Sequence, residues 1–485
     1  MLSAISMMMR PSCASTATSS LPARPIPGSY GLPLIGPLKD RLDYFWFQGP
    51  ETFFRSRMAT HKSTVFRTNM PPTFPFFVGV DSRVVALLDC SSFSALFDPS
   101  LVDKRNVLVG DYMPSLDFTG NTRVVVYLDP SEPGHSPVKS FCLDLLKSSA
   151  KVWVSEFLRN LDLMLASIES DVAKNGSAGF VIPLQKCIFS FLCISLIGAD
   201  PSASPDVGEL GFAMLDKWLA LQLLPTTKVG VIPQPLEELL LHSFPFPFFL
   251  VSGAYRKLYE FVEKGGQEVI ERAEKDYGLK KDEAIHNILF VLGFNAFGGF
   301  SVFLPSLITT VGRDKTGLQG KLREEVRRVM QSRGESVLSF EAAREMELVR
   351  STVYEVLRLN PPVPLQYGRA RAGFELKSHE CSYRVEKGEL LCGYQPLAMR
   401  DPVVFDRPED FVPDRFLGSA GKELLNYLFW SNGPQTGTPT PANKQCAAKD
   451  YVVETACLLV AEIVNRYDEF VCDESVNVTK LVKKE

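Results

Sequence analysis

The sequence predicts a mainly α fold with a small β portion. Apolar residues recur at three- and four-residue spacing, as on one face of a helix, over residues 140–168, 255–275, 316–332, 341–359 and 449–468. Short runs of β-forming residues are concentrated in residues 64–90. Neither an internal repeat nor a linker of different composition divides the 485 residues. We therefore expect residues 25–485 to form one domain.

The first 24 residues differ from the rest of the chain. Residues 1–23 are rich in Ser, Thr and Met and contain Arg10 but no acid, and the first carboxylate in the chain is Asp40. This composition is typical of a plastid transit peptide, and the alternative is an unprocessed terminus. An uninterrupted apolar anchor is missing from this segment, so we expect a soluble or peripherally attached chloroplast protein. Residues 25–31, with two prolines and two glycines, form a rigid lead-in to the fold.

Two short strands are expected next, around residues 65–67 and 76–80, with the Met70-Pro71-Pro72 sequence between them. The helical segments follow, interrupted by proline-rich stretches at 233–247 and 402–413.

The longest apolar stretch lies between Glu283 and Arg313 and has no charged residue inside it. Its length would allow it to span a bilayer. It also contains Asn295, Pro305 and the adjacent pair Gly298–Gly299, and a helix that is apolar all round is equally typical of the core of a large protein. We predict a buried central helix whose paired glycines let a flat group approach the backbone.

The charge balance argues against one class of partner. Lys and Arg number 52 and Asp and Glu 56, a net charge of −4, which disfavours nucleic-acid binding. Ten cysteines are scattered without Cys-x-x-Cys spacing, as expected for reduced thiols.

Cys446 is the first candidate for chemistry. It ends a Gly- and Pro-rich loop, residues 429–446, directly before an apolar helix. A thiolate there is stabilised by the helix dipole and by free backbone N–H groups. A lone cysteine is more often a small buried hydrophobe. Upstream, Glu355 and Arg358 lie on one face of a helix, where such a pair is commonly an ordinary surface ion pair.

Taken together, these residues resemble the cytochrome P-450 superfamily. Glu355 and Arg358 match its Glu-x-x-Arg pair, residues 413–416 match its Pro-Glu-Arg-Phe stretch with Asp for Glu, and Cys446 matches its haem ligand. The resemblance implies a cytochrome P-450-like haem-thiolate fold with haem b as cofactor. Glu355 and Arg358 would form a buried structural pair. Lys104 and Lys444 would meet the haem propionates, the alternative for each being a solvated lysine.

Several residues depart from the ordinary P-450 pattern. Sixteen residues separate Phe429 from Cys446, Lys444 replaces an arginine, and Ala448 replaces a glycine. Residues 293–300 lack the acid and the threonine with which monooxygenases protonate bound dioxygen. These departures resemble the plant branch that metabolises fatty-acid hydroperoxides: allene oxide synthases, hydroperoxide lyases and divinyl ether synthases. The markers of this branch lie at residues 112–115, 127–133, 294–299, 366–370 and 443–447.

This resemblance implies a reaction without NADPH, O2 or a reductase partner. The substrate would be a polyunsaturated fatty acid hydroperoxide, whose O–O bond is cleaved homolytically at the haem to give an alkoxyl and then an epoxyallylic radical. Synthases oxidise that radical and remove a proton. Lyases return the hydroxyl group to carbon and form a hemiacetal that separates into two aldehydes. Asn295 would orient the peroxide, the alternative being a packing or capped asparagine.

Residues expected to line the substrate cavity bear on whether the chain is a synthase or a lyase. Leu108 stands where allene oxide synthases carry Phe, whose ring stabilises a delocalised radical or cation. Val126 replaces a serine, and Pro364-Leu365 replaces a pair containing threonine. Further pocket residues are expected at Phe294, Phe297, Gly298 and Gly299. These differences favour a hydroperoxide lyase, although each is equally compatible with apolar packing.

A plastid location favours 13-hydroperoxides of C18 acids as substrates, which a lyase would cleave to a C6 aldehyde and a C12 oxo-acid. The alternatives are an allene oxide or divinyl ether synthase and, in a different class, a haem-binding protein without catalysis.

Overall fold

The computed structural model describes residues 21–73 and 75–484, where α-helices predominate over four small β-sheets. The α-helices of this part are α1 (Ile35–Leu42), α2 (Pro50–His61), α3 (Cys90–Phe93), α4 (His135–Asn175), α5 (Val181–Leu192), α6 (Gly211–Leu223), α7 (Gln234–Leu240), α8 (Ser252–Gly265), α9 (Gln267–Tyr277), α10 (Lys281–Phe290), α11 (Gly298–Gly312), α12 (Leu318–Arg333), α13 (Phe340–Glu345), α14 (Glu347–Leu359), α15 (Gln395–Ala398), α16 (Gly418–Leu424) and α17 (Lys449–Arg466). The prediction of a mainly helical fold is confirmed.

The strands of the same part are β1 (Ala23–Arg24), β2 (Val65–Asn69), β3 (Arg83–Leu87), β4 (Val102–Asp103), β5 (Ala178–Gly179), β6 (Leu365–Ala370), β7 (Phe374–Lys377), β8 (Ser382–Val385), β9 (Leu390–Tyr394), β10 (Phe429–Trp430), β11 (Gly433–Pro434), β12 (Tyr467–Cys472) and β13 (Asn477–Lys483). The largest sheet has the order β2-β3-β9-β6-β4, in which only β3 and β9 run parallel. Within it Val65 pairs with Leu87, and Leu365 with Tyr394.

The segment predicted to be a transit peptide lies largely outside the described residues. Of the predicted transit peptide, residues 1–24, only the last four are described, and Ala23–Arg24 pairs in parallel with Ser382–Tyr383 of β8. Strand β1 therefore lies directly before the domain boundary expected from composition.

Of the two predicted strands, the one around residues 65–67 is confirmed as β2, and the one at residues 76–80 is wrong. The strand that pairs with β2 is β3 (Arg83–Leu87). Residues 76–80 make a turn in which Val80 N–H donates to Phe77 O, Gly79 has a φ of +85°, and Val78 is 94% exposed. The apolar run at residues 76–80 therefore forms an exposed loop, and the strand that pairs with β2 contains the buried run from Val84 to Leu87.

The helical segments agree with the periodicity, with two breaks. Residues 255–275 are divided into α8 and α9 at Gly266, and residues 341–359 into α13 and α14 at Met346. The helix predicted to reach residue 468 ends at Arg466, because the chain then enters the antiparallel pair β12–β13.

The central apolar stretch is the helix that organises the fold. It comprises α10, a π-helical segment Val291–Phe297 and α11, which follow one another without interruption. By length and composition, Lys281–Gly312 is the one stretch in the described ranges that would cross a membrane, and half of its most apolar window is buried inside the protein. Phe303, Leu304 and Leu307 are buried against the surrounding helices. The prediction of a buried central helix is confirmed.

Candidate active site

A cavity of about 380 Å³ lies between the central helix, the start of α4 and the loop that precedes α17, a size usual for small-molecule sites. Its lining includes ten of the predicted site residues: Lys104, Leu108, Val126, Phe294, Asn295, Gly298, Gly299, Leu365, Lys444 and Cys446. Two predicted pocket residues do not border it. Phe297 is fully buried in the hydrophobic core. The carbonyl of Pro364 accepts a backbone hydrogen bond of 2.8 Å from the Gln395 N–H.

The loop before α17 presents the Cys446 thiol to this cavity. Strands β10 and β11 form a hairpin, and the Cys446 N–H donates to Ser431 O at 3.1 Å, so the loop folds back on that hairpin. The Gln445 side chain fills the space beside Gly433, where an added Cβ would lie 2.6 Å from Gln445 Cδ. The long insertion between Phe429 and Cys446 is therefore an ordered structure, and it places the thiol three residues before α17.

The surroundings of Cys446 act on its pKa in opposite directions. Burial raises the pKa of the thiol above its ordinary value, and the Lys139 ammonium, the Ala448 N–H and the Lys449 ammonium offset only part of this rise. A thiol held in this way is deprotonated when a metal ion binds to it.

Four basic groups border the cavity: Lys104, Lys139, Lys444 and His135. Burial lowers the pKa of Lys104 to about 7, and burial together with Lys104 and Lys139 lowers that of Lys444 to about 7. Burial also lowers the pKa of Lys139, and that of His135 to about 4. Among the described residues none of the four forms an ion pair with a carboxylate, and His135 Nε2 has no hydrogen-bond partner. Asp129 lies close enough to raise the pKa of Lys104 and Lys444, and the Lys444 ammonium donates to three backbone carbonyls. The Lys104 ammonium makes no hydrogen bond with any described residue, so it is the buried basic group that favours an anionic ligand.

Lys104 and Lys444 were expected as cations of this kind, and the alternative of a solvated lysine does not hold for Lys104, which is 7% exposed. His135 and Lys139 were missed. They lie four residues apart on the first turns of α4, and the Lys139 ammonium donates to the carbonyl of Gln445. The four-residue spacing shows that both lie on one helix face, but their burial depends on the distant loop of Cys446.

Asn295 lies in the π-helical segment and faces the cavity. Its side chain is exposed there and makes no hydrogen bond with any described residue. Beside it Phe294 stacks on Phe290, with ring centroids 4.7 Å apart. An asparagine that neither caps a helix nor bonds to the backbone, in a largely apolar cavity, leaves both its donor and its acceptor available to a ligand.

The two glycines that follow have different surroundings. A Cβ added to Gly299 would meet nothing within 4 Å, so this position leaves open space, whereas one added to Gly298 would lie 2.7 Å from Leu219 Cδ2. The structure therefore offers room for a flat group at Gly299.

Behind the site, Glu355 and Arg358 form the expected buried pair, and Arg415 joins them. Arg415 Nε lies 3.0 Å from both carboxylate oxygens of Glu355. Arg358 also donates to the carbonyls of Met399 and Pro408, at 3.0 and 2.7 Å. This cluster fixes the end of α14 to the segment before α16.

Comparison with known proteins agrees with this arrangement. The family model described as Cytochrome P450 matches residues 314–435. The chain is 58% identical to the linolenate hydroperoxide lyase, chloroplastic, of Arabidopsis thaliana, over 96% of this chain and 94% of that protein. The chain belongs to the cytochrome P450 family. It is also 58% identical to the fatty acid hydroperoxide lyase, chloroplastic, of Solanum lycopersicum, over 93% of this chain and 95% of that protein. Identity to the allene oxide synthase, chloroplastic, of Linum usitatissimum is 46%, over 94% of this chain and 84% of that protein.

Cytochromes P450 bind a haem through a cysteine thiolate, and the residues of this chain fit that group. Cys446 would supply the sulfur, and the open space at Gly299 would accommodate a flat ring. Lys104, Lys139 and His135 border the same cavity and form no ion pair with a described carboxylate, so they would be available to the acidic groups of the haem.

Proposed function

We propose that this cytochrome P450 is a fatty acid hydroperoxide lyase that cleaves 13-hydroperoxides of linolenic and linoleic acid to a C6 aldehyde and a C12 oxo-acid. The observation that carries the proposal is the composition of the cavity. Cys446 and the unpartnered amide of Asn295 border it, and the part of the central helix that lines it, residues 291–302, contains no Asp, Glu or Thr. Dioxygen activation requires delivered protons, whereas a hydroperoxide already contains a weak O–O bond.

Cys446 would hold the haem, and a thiolate-ligated haem would supply the chemistry that cleaves such an O–O bond. The hemiacetal that the lyase forms is an isomer of the hydroperoxide, so neither NADPH nor O2 is consumed and no reductase partner is needed. Asn295 binds and orients the peroxide: its Nδ2 donates to a peroxide oxygen, and its Oδ1 accepts the hydrogen bond of the hydroperoxide proton. Its freedom from other partners is what makes both interactions available.

The apolar lining directs the product. Leu108 and Val126 border the cavity with aliphatic side chains, which exclude water but give no electronic stabilisation to a carbon cation. Such a lining favours return of the hydroxyl group to the carbon radical over its oxidation. The 58% identity to two lyases, against 46% to a synthase, supports the same outcome.

The relatives are named chloroplastic, and we place this protein in the plastid, with residues 1–24 as transit peptide and residues 25–485 as one catalytic domain. An apolar surface favours peripheral attachment to the envelope or thylakoid. The Arg41–Glu238 ion pair of 3.1 Å connects α1 with α7, and just beyond these helices the rings of Phe45 and His242 stack with centroids 3.8 Å apart. The exposed apolar residues of this surface are Leu34, Ile35, Phe47, Leu236, Leu239 and Leu240. Exposed apolar patches of this kind are typical of lipid contact.

The test is to incubate the haem-loaded protein with linolenic acid 13-hydroperoxide, without NADPH and without O2, and to identify the products by mass spectrometry. A C6 aldehyde with a C12 oxo-acid supports the lyase. Ketols or a cyclopentenone would assign the chain to the synthases, and a haem protein that leaves the hydroperoxide unconsumed would be a haem-binding protein without this catalysis.

A further inference from the structure

The side chain of Val126 enters the cavity from a short turn, residues 124–128, which we call the valine turn. Its centre is a single 3-10 segment, Val125–Tyr127, closed by hydrogen bonds from Tyr127 N–H to Val124 O, 2.9 Å, and from Leu128 N–H to Val125 O, 3.4 Å. A segment this short has few bonds of its own. The place of Val126 in the cavity therefore depends on what holds the turn from outside.

On one side the turn is held by Lys444. Its ammonium donates to Val125 O, Val126 O and Leu128 O at 3.1, 2.8 and 2.8 Å. An ammonium group has three donors, and all three are used here. Lys444 therefore ties the valine turn to the loop of Cys446, two residues further along the chain.

On the other side the turn is held by Asn287 of the central helix. Asn287 is fully buried, its Oδ1 accepts the Val125 N–H at 3.1 Å, and its Nδ2 donates to Glu283 O at 2.9 Å. The carbonyl of Val125 thus bonds to Lys444 while its N–H bonds to Asn287. Asn287 does not border the cavity, so it touches neither substrate nor haem pocket.

We propose that Asn287 is a positioning residue of the reaction: through its bond to Val125 N–H it fixes the place of Val126 in the cavity and so the partition of products. The inference rests on the proposed lyase activity for the identity of those products. A buried amide oxygen bonds to one specific N–H, so its loss frees the turn to shift toward or away from the substrate. A displacement of about 1 Å at a positioning contact changes rates by up to about 100-fold.

The test compares Asn287→Leu, which keeps the size and removes the acceptor, with Asn287→Asp, which keeps an acceptor oxygen. We expect Asn287→Leu to retain haem, with an unchanged Soret band, to lower kcat/KM about tenfold and to raise the proportion of ketols. Asn287→Asp restores the wild-type product ratio. The matched control is Asn160→Leu, because Asn160 is also buried on a helix and also donates to the carbonyl four residues earlier, at 2.8 Å, but has no contact with the turn.

A second variant removes the same bond from the other partner. Val125 is the first residue of its 3-10 segment and follows an extended residue, Val124, with φ −68° and ψ 169°. Proline is tolerated at such a position and lacks the N–H. Val125→Pro should therefore reproduce the product change, and combining it with Asn287→Leu should add little. Val125 also borders the cavity, so Val125→Ala, which shortens the side chain but keeps the N–H, is the control for Val125→Pro. If Asn287→Leu does not fold, the proposal is decided by whether Val125→Pro shifts the product ratio beyond Val125→Ala.

Product ratios and kcat/KM that match those of Asn160→Leu, even with a lowered Tm, would overturn the proposal and leave Asn287 a structural residue only. If the wild type forms ketols and no aldehyde, the lyase assignment has failed, and a shifted product distribution in Asn287→Leu still supports the positioning role.

Discussion

Arg358 is bound to Glu355 by two hydrogen bonds of 2.8 Å, and neither side chain is exposed to solvent. Arg415 shares the same carboxylate, so Glu355 neutralises two guanidinium groups at once. Buried ion pairs add little net stability, but removal of one partner strands the other charge in the interior.

We therefore predict that Glu355→Gln lowers the free energy of unfolding by about 3–5 kcal/mol, measured by chemical denaturation of the haem protein. The control is Glu156→Gln, which removes the acid from an ion pair with Arg159 of the same three-residue spacing and 2.8 Å length, but at the surface. Its expected cost is about 0–1 kcal/mol. Equal costs in the two variants would contradict the role assigned to Glu355.

Asp129 gives a prediction about acid stability. Its side chain is fully buried; burial by itself raises the pKa of this carboxyl, but hydrogen bonds from the N–H of Lys104, from Ser131 and from Arg371 hold the pKa at about 2. A folded-state pKa below the unfolded value stabilises the protein above pH 4, and this stabilisation is lost as the pH falls toward 2. We expect Asp129→Asn to lower the free energy of unfolding at pH 7 by about 1–2 kcal/mol and to flatten its decline between pH 4 and 2. Parallel pH curves for the two proteins would exclude this contribution.

Cys446 should be required for haem retention. Cys446→Ala removes the sulfur ligand, so we expect the purified variant to lack the Soret band and hydroperoxide-cleaving activity. Cys457→Ala is the control, because Cys457 is fully buried on α17 and does not border the cavity. A normal Soret band in Cys446→Ala would overturn the ligand assignment.

Family resemblance explains why part of the site was predictable. Spacing puts Glu355 and Arg358 on one helix face and Cys446 before another helix, but it is equally compatible with a surface ion pair and a buried thiol. The match of these residues to cytochrome P-450 motifs predicted their roles. His135 and Lys139 were not recognised, because a lysine and a histidine on the first turns of a helix are ordinarily solvated. Here they are buried only because the loop of Cys446 packs over them, a contact between residues about 300 positions apart.

The misplaced pocket residues have a geometric cause. Phe297 lies at the end of the π-helical segment Val291–Phe297, where the turn is wider than in an α-helix, and α-helical spacing therefore does not give the direction of its side chain.

The second strand was placed at residues 76–80 because the apolar run there resembles a strand, whereas Gly79 at positive φ turns the chain. Both errors lie where a local backbone feature overrides the apolar pattern.

Asn295 should affect turnover without affecting the cofactor. Asn295→Leu keeps the volume and removes both hydrogen bonds proposed for the peroxide, so we expect normal haem content and a fall in kcat/KM of about 10- to 100-fold. The measurement is steady-state consumption of linolenic acid 13-hydroperoxide, followed by the ultraviolet absorbance of its conjugated diene, with haem quantified in the same sample. An unchanged rate would remove the distal role of Asn295.

Leu108 should control the type of product. Leu108 and its neighbour Val107 both border the cavity, so a phenylalanine can be placed at either position as a matched pair. An aromatic face stabilises an adjacent cationic carbon by about 0.5–1 kcal/mol, which changes a product ratio about two- to fivefold. We expect Leu108→Phe to raise the ratio of ketols to C6 aldehyde by this factor, because oxidation of the carbon radical then competes better with return of the hydroxyl group. Val107→Phe should alter the rate but not the ratio; if both variants shift the ratio equally, the effect is one of cavity volume, and Leu108 has no specific role in choosing between lyase and synthase chemistry.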